Sequence, residues 1–461
     1  MDKNEGLSMA IAAHVAGFRA DDLPASTVHA AKRALLDGMG VMLAASGASP
    51  EVAPFIDYAA SQGRGDATIL GTGLRTSAAM AAFANGAMAH ALDFEDAFDP
   101  APCHPDASLL PTLLAVAETG PPVSGNELLA AIAIGCDLVC RIGLSLRREM
   151  ETGGWYPPPI LGAFGAVAAA ARLQRLSPEQ VRDAFSLILC QVTMPGEIKY
   201  SRDTVIRAVR EAFPAQAAVQ ASALAQAGVR GFEAPFEGKA GFFRLYAESQ
   251  YDPMALLDGL GERFWIEQLS FKRWPACRGT HAYIEAAQTL RARHAIDPAS
   301  IVAIVATGGE VQRMLVEPVN RKQAPTTVID AKFSIPFTIG SALTDDEVTL
   351  ESFEGTALCD ERKRGLAGLV RFEQRPDWGR SQAASGGLSI ELASGVRHEE
   401  WIHIAAGDPL RPIDDAALTA KFKGCAARAA KPLNATSVER LAAAIWELDR
   451  AGDAAKSLFQ E

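Results

Sequence analysis

The chain lacks any pair of cysteines with the spacing Cys-x-x-Cys. Its seven cysteines among 461 residues are scattered, at positions 103, 136, 140, 190, 277, 359 and 425. Zinc ribbons and iron–sulfur clusters need closely spaced thiols, so the sequence indicates neither. Cys136 and Cys140 lie four residues apart in an apolar run, where buried thiols acting as small hydrophobic side chains are the better interpretation. The scattered set favours a reducing compartment.

Metal-binding and nucleotide-binding motifs are missing as well. No His-x-His or His-Glu-x-x-His spacing occurs, so we expect no metal site. No Walker loop is present, and the Gly-x-Gly at Gly71 and Gly73 lacks the third glycine and the strand-to-helix setting of a dinucleotide fingerprint. The sequence therefore predicts an activity without a cofactor.

Signals for membranes and for nucleic acids are also absent. No apolar run is expected to reach the ~20 residues that span a bilayer. The N-terminus has no basic segment followed by an apolar stretch, which argues against a secretory signal. The net charge is −11, with both signs interspersed, which argues against a nucleic-acid partner but allows a small anionic substrate in a local basic pocket. We expect a cytoplasmic protein with no membrane partner.

The patterns that are present predict two kinds of structure. A chain of 461 residues exceeds one ordinary core. From Leu7 to about Arg230 nearly every segment has helical periodicity, and capping boxes begin at Ser124 and Ser177. After Trp265 the character changes to a compact α+β domain, with strands expected at 301–306, 388–392 and 398–404 and helices at 279–292 and 327–342. Helical patterns return at 414–430 and 437–451.

The richest stretch for chemistry contains the acids and histidines of positions 85–106. Asp93, Glu95 and Asp96 stand where a helical pattern breaks, and His104 follows a proline-rich loop. A helix end is rigid and a loop can fold back, so Asp93 and His104 are a candidate acid–base pair on the rim of a pocket. The structural alternative is a solvated helix terminus followed by a His-Pro turn.

This stretch resembles the MmgE/PrpD family, whose pattern reads Asn-Gly-x-x-x-His-x-Leu-Asp-Phe-Asp-Asp and, after a short gap, His-Pro. The chain matches it at Asn85, Gly86, His90, Leu92, Asp93, Phe94, Asp96, His104 and Pro105, with Glu95 in place of the usual aspartate. Further resemblances follow in the family's order, at Phe236–Gly238, Gly241–Phe242, Phe271–Lys272, Pro275, Thr280–His281 and Ala331–Ser334.

The resemblance implies a mainly α fold with an α+β second domain. A large all-helical domain would comprise residues 1–268 and be completed by 408–461, and a smaller inserted α+β lid domain would comprise 269–407. The active site would then lie between the domains, a common place for ligand clefts. The resemblance also implies a homodimer formed through the helical domain.

The resemblance implies a lyase or isomerase, since the family includes 2-methylcitrate dehydratases, cis-aconitate decarboxylases and iminodisuccinate epimerases. The leading prediction is dehydration of a small di- or tricarboxylic acid. Removing a proton beside a carboxylate needs a base, an acid and cations. We assign proton transfer to Asp93 and His104, assisted by Tyr156, and carboxylate binding to Lys272. Substrate-binding roles are further predicted for Arg210, Arg278, His281 and His90, although His281 and His90 can equally be structural.

The chain also departs from the family's pattern. Tyr156 stands where many members have histidine, Arg210 where they have lysine, Cys277 where they have histidine and Phe337 where they have tyrosine. A tyrosine can donate a hydrogen bond but is a poor base at neutral pH, since its reference pKa is ~10. Epimerisation of an iminodisuccinate-like acid, decarboxylation of a cis-aconitate-like acid and a catalytically silent ligand-binding homologue therefore stay open as alternatives.

Overall fold

The chain divides into two compact units in the computed structural model, which describes residues 6–201 and 204–459. A helical unit contains the chain up to Ala91, Ala101–Leu269 and the chain from Asp414 onward. An α+β unit contains Leu92–Pro100 and Ser270–Ile413. The predicted fold class, mainly α with an α+β part, is confirmed.

The helical unit contains most of the helices. Its helices are α1 Leu7–Gly17, α2 Ala25–Ala48, α3 Ala53–Ser61, α4 Ala78–Ala91, α5 Pro105–Thr119, α6 Gly125–Ser145, α7 Pro157–Leu173, α8 Pro178–Leu189, α9 Ile206–Val209, α10 Ala212–Gln226, α11 Phe242–Ala247, α12 Pro253–Leu257, α18 Asp415–Ala426, α19 Ala435–Trp446 and α20 Ala454–Phe459. A short antiparallel hairpin, β1 Ala67–Ile69 with β2 Leu74–Thr76, was not expected from the sequence. Its strands are too short for the period-two pattern to stand out.

Small residues let the central helices of this unit approach closely. A Cβ atom added to Gly165 of α7 would lie 2.3 Å from Val139 Cγ2 of α6, and one added to Gly135 of α6 would lie 2.7 Å from the Gly165 carbonyl oxygen. Helix starts follow the predicted signals. Ser177 and Gln180 form a reciprocal capping box, and Ser124 accepts a hydrogen bond from the Glu127 amide.

Helix α6 corrects one expectation from the sequence. Gly125–Ser145 is long and apolar enough, by length and composition, to cross a membrane, and 94% of its apolar window is buried inside the protein. Two charged residues in the middle of the helix, Asp137 and Arg141, form an ion pair of 2.5 Å. Arg141 also donates to the carbonyl oxygen of Asp258 at 2.8 Å. These contacts and the burial are those of a core helix.

The α+β unit contains a four-stranded sheet in the order β4-β3-β5-β6. Its strands are β3 Ile301–Gly308, β4 Val370–Gln374, β5 Gly386–Leu392 and β6 Arg397–Ile402, and its helices are α13 His281–His294, α14 Val319–Gln323, α15 Val328–Lys332, α16 Ile335–Thr344 and α17 Glu361–Leu369. Strand β3 pairs parallel with β4 and antiparallel with β5. Strand β4 was missed because it has mixed polarity and only one buried residue.

Residues 92–100 group with the α+β unit, whereas the predicted boundaries put them in the helical domain. The cause is a set of contacts to the segment that begins at Ser270. Ala97 and Ser270 exchange two backbone hydrogen bonds, of 2.9 and 2.8 Å. The Ser270 hydroxyl donates to Asp99 at 2.8 Å. The most informative stretch of the sequence thus becomes part of the smaller unit.

Candidate active site

The acids of positions 93–96 are buried. Asp93, Glu95 and Asp96 are each at most 2% exposed. Asp93 has a φ of 49°, in the left-handed region that non-glycine residues seldom occupy. The alternative of a solvated helix terminus is therefore wrong. Buried carboxylates and backbone strain are both costly and often mark functional sites.

Lys272 supplies the positive charge for these acids. Its side chain is fully buried, and its Nζ atom lies 2.6 Å from Asp93 Oδ1, 3.1 Å from the Asp93 carbonyl oxygen and 3.6 Å from Glu95 Oε1. Burial alone would lower the pKa of the Lys272 ammonium, but the charges of Asp93 and Glu95 and the hydrogen bond to Asp93 outweigh burial and raise that pKa. Lys272 is thus a buried, protonated partner for Asp93.

Arg278 joins two segments of the α+β unit. Its guanidinium donates to Asp99 Oδ2 at 3.0 Å and to the carbonyl oxygen of Ala406 at 2.9 Å. His281 lies beside it with its Nδ1 atom 3.5 Å from Arg278, and its Nε2 atom lies 3.1 Å from the Ala276 carbonyl oxygen. These contacts give both residues a structural role, and their predicted contact with substrate stays a prediction.

Lys332 is a residue of this region that sequence reasoning did not select. Its side chain is 1% exposed, and its Nζ atom donates to the Leu92 carbonyl oxygen at 2.7 Å. The Ala331–Ser334 resemblance pointed to the segment, but no charge pattern singled out the lysine. Phe337, which replaces a family tyrosine, is fully buried with its ring centroid 6.3 Å from that of Phe353.

His90 and His104 come together in the helical unit. His90 is fully buried in the last turn of α4, and His104 is the partly exposed N-cap of α5. Their ring centroids lie 5.4 Å apart. Pro105 at the first position of α5 fixes the helix start, and no cap hydrogen bond is made by the His104 side chain. The ring of His104 thus lies on a rigid element and is still accessible to solvent.

Tyr156 and Arg210 form a second cluster in the helical unit. The Arg210 guanidinium carbon lies 5.2 Å from the Tyr156 ring centroid, within range of a cation–π interaction. Arg210 is fully buried, and its Nε atom donates to Glu211 Oε1 at 3.0 Å. Ser108 of α5 donates to the other oxygen of Glu211. Glu211, which the sequence did not single out, is the carboxylate that compensates the buried guanidinium.

The structure therefore brings the predicted residues together in pairs. Asp93 and Lys272 are joined within the α+β unit, and so are Arg278 and His281. His90 with His104, and Tyr156 with Arg210, are joined within the helical unit. The proposed acid–base partnership of Asp93 with His104 stays a prediction. Asp93, which the Lys272 ammonium favours in its ionised form, is a candidate proton acceptor.

Comparison with known proteins decides the family. The model of the MmgE/PrpD N-terminal domain matches residues 9–254, and that of the C-terminal domain matches residues 274–448. The chain belongs to the MmgE/PrpD family. Asp93 lies within the segment that matches the N-terminal domain, and Lys272 lies just before the segment that matches the C-terminal domain.

The family's curated members that resemble the chain include cis-aconitate decarboxylases. The mouse (Mus musculus) enzyme is 25% identical over 462 residues, covering 96% of this chain and 91% of the relative. The human (Homo sapiens) enzyme is 28% identical over 386 residues, covering 82% and 78%. A cis-aconitate decarboxylase-like protein of Aspergillus oryzae is 24% identical, covering 96% and 95%. Membership of the MmgE/PrpD family and these relatives indicate an enzyme of the lyase type.

Proposed function

We propose that the protein is a cofactor-independent lyase that acts on a small di- or tricarboxylic acid. The observation that carries this proposal is the buried pair of Asp93 and Lys272, at 2.6 Å. A carboxylate base must be ionised to accept a proton, and the adjacent ammonium favours that form. The same ammonium can stabilise the charge that develops on a substrate carboxylate when its neighbouring carbon loses a proton.

Dehydration is the first candidate reaction. Asp93 takes the proton from the carbon beside a carboxylate, and the C–H electron pair becomes the new carbon–carbon double bond. The C–O bond on the next carbon breaks, and the leaving hydroxide takes a proton from an acid to become water. His104 is the candidate acid, because it is partly exposed on a rigid helix start, and Tyr156 is the candidate assistant, since its hydroxyl can donate.

We assign binding of the substrate's carboxylates to positively charged side chains. Lys272 is the candidate partner of the reacting carboxylate. Arg210 is a candidate for a second carboxylate, because guanidinium groups match carboxylate geometry. Arg278, His281 and His90 stay as predicted substrate-binding residues. We also propose a homodimer in the cytoplasm, as the family resemblance and the composition lead us to expect.

Decarboxylation is the second candidate, and the relatives favour it, since those named above are cis-aconitate decarboxylases or like them. In that reaction a C–C bond breaks, carbon dioxide leaves with no electrons from the bond, and the carbon that keeps the pair accepts a proton. An acid near the substrate is then needed more than a base. At 23–28% identity the relatives share a family but do not carry the reaction to this chain.

The deciding experiment is product identification. The purified protein is incubated with hydroxylated and unsaturated di- and tricarboxylic acids, and products are identified by NMR and mass spectrometry. Dehydration predicts an acid lighter by one water, and decarboxylation of cis-aconitate predicts release of carbon dioxide. Inversion of a stereocentre without loss of mass would instead favour the epimerase alternative. Binding without any conversion would favour the silent homologue and contradict the proposal.

A further inference from the structure

Two buried lysines hold consecutive carbonyl groups next to the candidate base. Lys332 Nζ donates to the Leu92 carbonyl oxygen at 2.7 Å, and Lys272 Nζ donates to the Asp93 carbonyl oxygen at 3.1 Å. The peptide groups on either side of the Asp93 α-carbon are thereby each fixed by an ammonium group. Asp93 between them has the left-handed φ of 49°.

A left-handed conformation is uncommon at residues other than glycine, although aspartate adopts it more readily than most, and it is kept where the surrounding contacts favour it. Hydrogen bonds from charged donors are among the stronger contacts that can do so. Lys332 is 1% exposed, so this hydrogen bond is made away from bulk water. It is thus one of the contacts that favour the left-handed conformation at Asp93.

The backbone that carries Lys332 is itself fixed. Lys332 ends α15, whose first turn is capped by the Thr327 side chain. Asp330 in the same helix forms a two-point ion pair with Arg321, at 2.9 and 2.8 Å. The Cys277 amide donates to the Lys332 carbonyl oxygen at 3.0 Å. Lys332 therefore connects a rigid part of the α+β unit to the residue before Asp93.

We propose that Lys332 is a positioning residue, which acts through the Leu92 carbonyl to hold the Asp93 carboxylate in the orientation for proton transfer. The inference rests on the proposed function, because it assigns Asp93 as the base. Lys332 needs no contact with substrate in this role. A displacement of about 1 Å at a catalytic group can lower a rate ~10²-fold.

The test compares three variants. Lys332→Met keeps the length of the side chain and removes the ammonium, and Lys332→Arg restores a donor. Lys363→Met is the matched control, since Lys363 is a buried lysine of the same unit, 3% exposed, which donates to the Ser352 carbonyl oxygen at 3.2 Å and to Asp345 at 2.6 Å. Melting temperature is recorded for all three.

Two readouts are measured. Hydrogen–deuterium exchange of a peptide covering 92–100 should be several-fold faster in Lys332→Met and unchanged in Lys363→Met. On the substrate found by product identification, kcat should fall ~10–100-fold in Lys332→Met, with KM changed less than about 3-fold. Lys332→Arg should recover part of kcat, and Lys363→Met should keep wild-type kcat even if its melting temperature falls.

Faster exchange without a fall in kcat would make Lys332 merely structural and overturn the inference. Unchanged exchange in Lys332→Met would overturn it too, since the Leu92 contact would then not hold the segment. A rise in KM as large as the fall in kcat would instead indicate direct substrate binding. Failure of the proposed function is seen separately, as a wild-type protein that converts no acid, while the exchange readout needs no turnover.

Discussion

At the scale of single residues, the ion pair between Asp93 and Lys272 is the feature from which the chemistry follows. Both side chains are at most 1% exposed, so neither charge is in contact with bulk water. Breaking a buried pair by removing one partner leaves the other charge uncompensated, which costs far more than removing both. The free energy of unfolding should therefore differ between variants that remove one member of the pair and a variant that removes both.

The first prediction concerns that difference. Lys272→Met should lower the free energy of unfolding by about 3–5 kcal/mol, because Asp93 and Glu95 lose their nearest ammonium. Adding Asp93→Asn to Lys272→Met should recover part of the loss, since fewer buried charges are left unpaired. Urea unfolding of the two single variants and the double variant measures the coupling. If the losses in unfolding free energy of the two single variants add up to the loss of the double variant, the Asp93–Lys272 ion pair contributes nothing to stability and the prediction is wrong.

The second prediction separates His104 from the core. His104→Ala should lower kcat on the order of 10²–10⁴-fold, as expected for a lost general acid or base. It should change the melting temperature little, because His104 is partly exposed at a helix start and not part of the buried core. Steady-state kinetics and thermal unfolding measure the two effects. A wild-type rate would remove His104 from the mechanism, and a large loss of stability would favour a structural role.

At the scale of elements, helix α5 combines the candidate histidine with an unusual buried acid. Asp106, two residues after His104, is 3% exposed, and both of its carboxylate oxygens lack a hydrogen-bond partner within the described part of the chain. Burial and, to a lesser extent, the negative charge of Asp37 on α2 together raise the pKa of Asp106 to about 7. Lys421 of α18 lies 2.7 Å from Asp37. Burial and the charge of Asp37 thus favour the protonated form of Asp106 in the folded protein.

The third prediction is a pH dependence of stability. Because the pKa of Asp106 is higher in the folded protein than its ordinary 3.8, its proton stabilises the fold. That contribution is complete below pH 3.8 and is lost as the pH rises through about 7. Asp106→Asn keeps the side chain neutral, so the variant should be more stable than wild type at pH 8 by roughly 1–3 kcal/mol, and the difference should shrink towards pH 4. Urea unfolding of wild type and Asp106→Asn across pH 4–8 measures this difference in stability. If the folded protein favoured the ionised form of Asp106, the variant would instead be less stable than wild type at pH 8.

At the scale of the whole molecule, the sequence predicted the fold class and the family but not the assignment of 92–100. Helical periodicity and caps such as Ser177 are local, and so were readable from the chain. Strand β4 and the β1–β2 hairpin have too few alternating residues to be recognised. The grouping of Leu92–Pro100 with Ser270–Ile413 depends on contacts of Lys272, Ser270 and Arg278, which are about 180 residues away along the chain.

The candidate site was likewise predictable only in part. Asp93 and Lys272 stood out through the family pattern, but their contact with each other was not predicted. Lys332 and Glu211 were missed, because nothing in their local sequence distinguishes a buried charge from a solvated one. Their burial arises from the packing of distant segments. The roles of Tyr156, Arg210, Arg278, His281 and His90 stay predictions.

The fourth prediction is that activity needs no metal ion. The sequence lacks clustered cysteine or histidine motifs, although residues 90–95 include one histidine and two acids that are ordinary metal ligands. Activity should therefore survive dialysis against a chelator and should not rise when zinc, iron, magnesium or manganese is added. Loss on chelation, with recovery on adding one of these ions, would contradict the cofactor-independent proposal.

Asp93, paired with Lys272, is proposed to exchange a proton with a carbon of the substrate. Deuterium incorporation into the substrate, followed by NMR, tests this proton transfer most directly. The substrate acid is incubated in deuterated water with wild type, Asp93→Asn, or Asp345→Asn, a control in which the altered aspartate also pairs with a buried lysine of the α+β unit, Lys363, at 2.6 Å. We expect deuterium at the carbon beside a carboxylate with wild type and with the control, and incorporation at least about 10²-fold lower with Asp93→Asn. Equal incorporation by wild type and Asp93→Asn would contradict this role of Asp93.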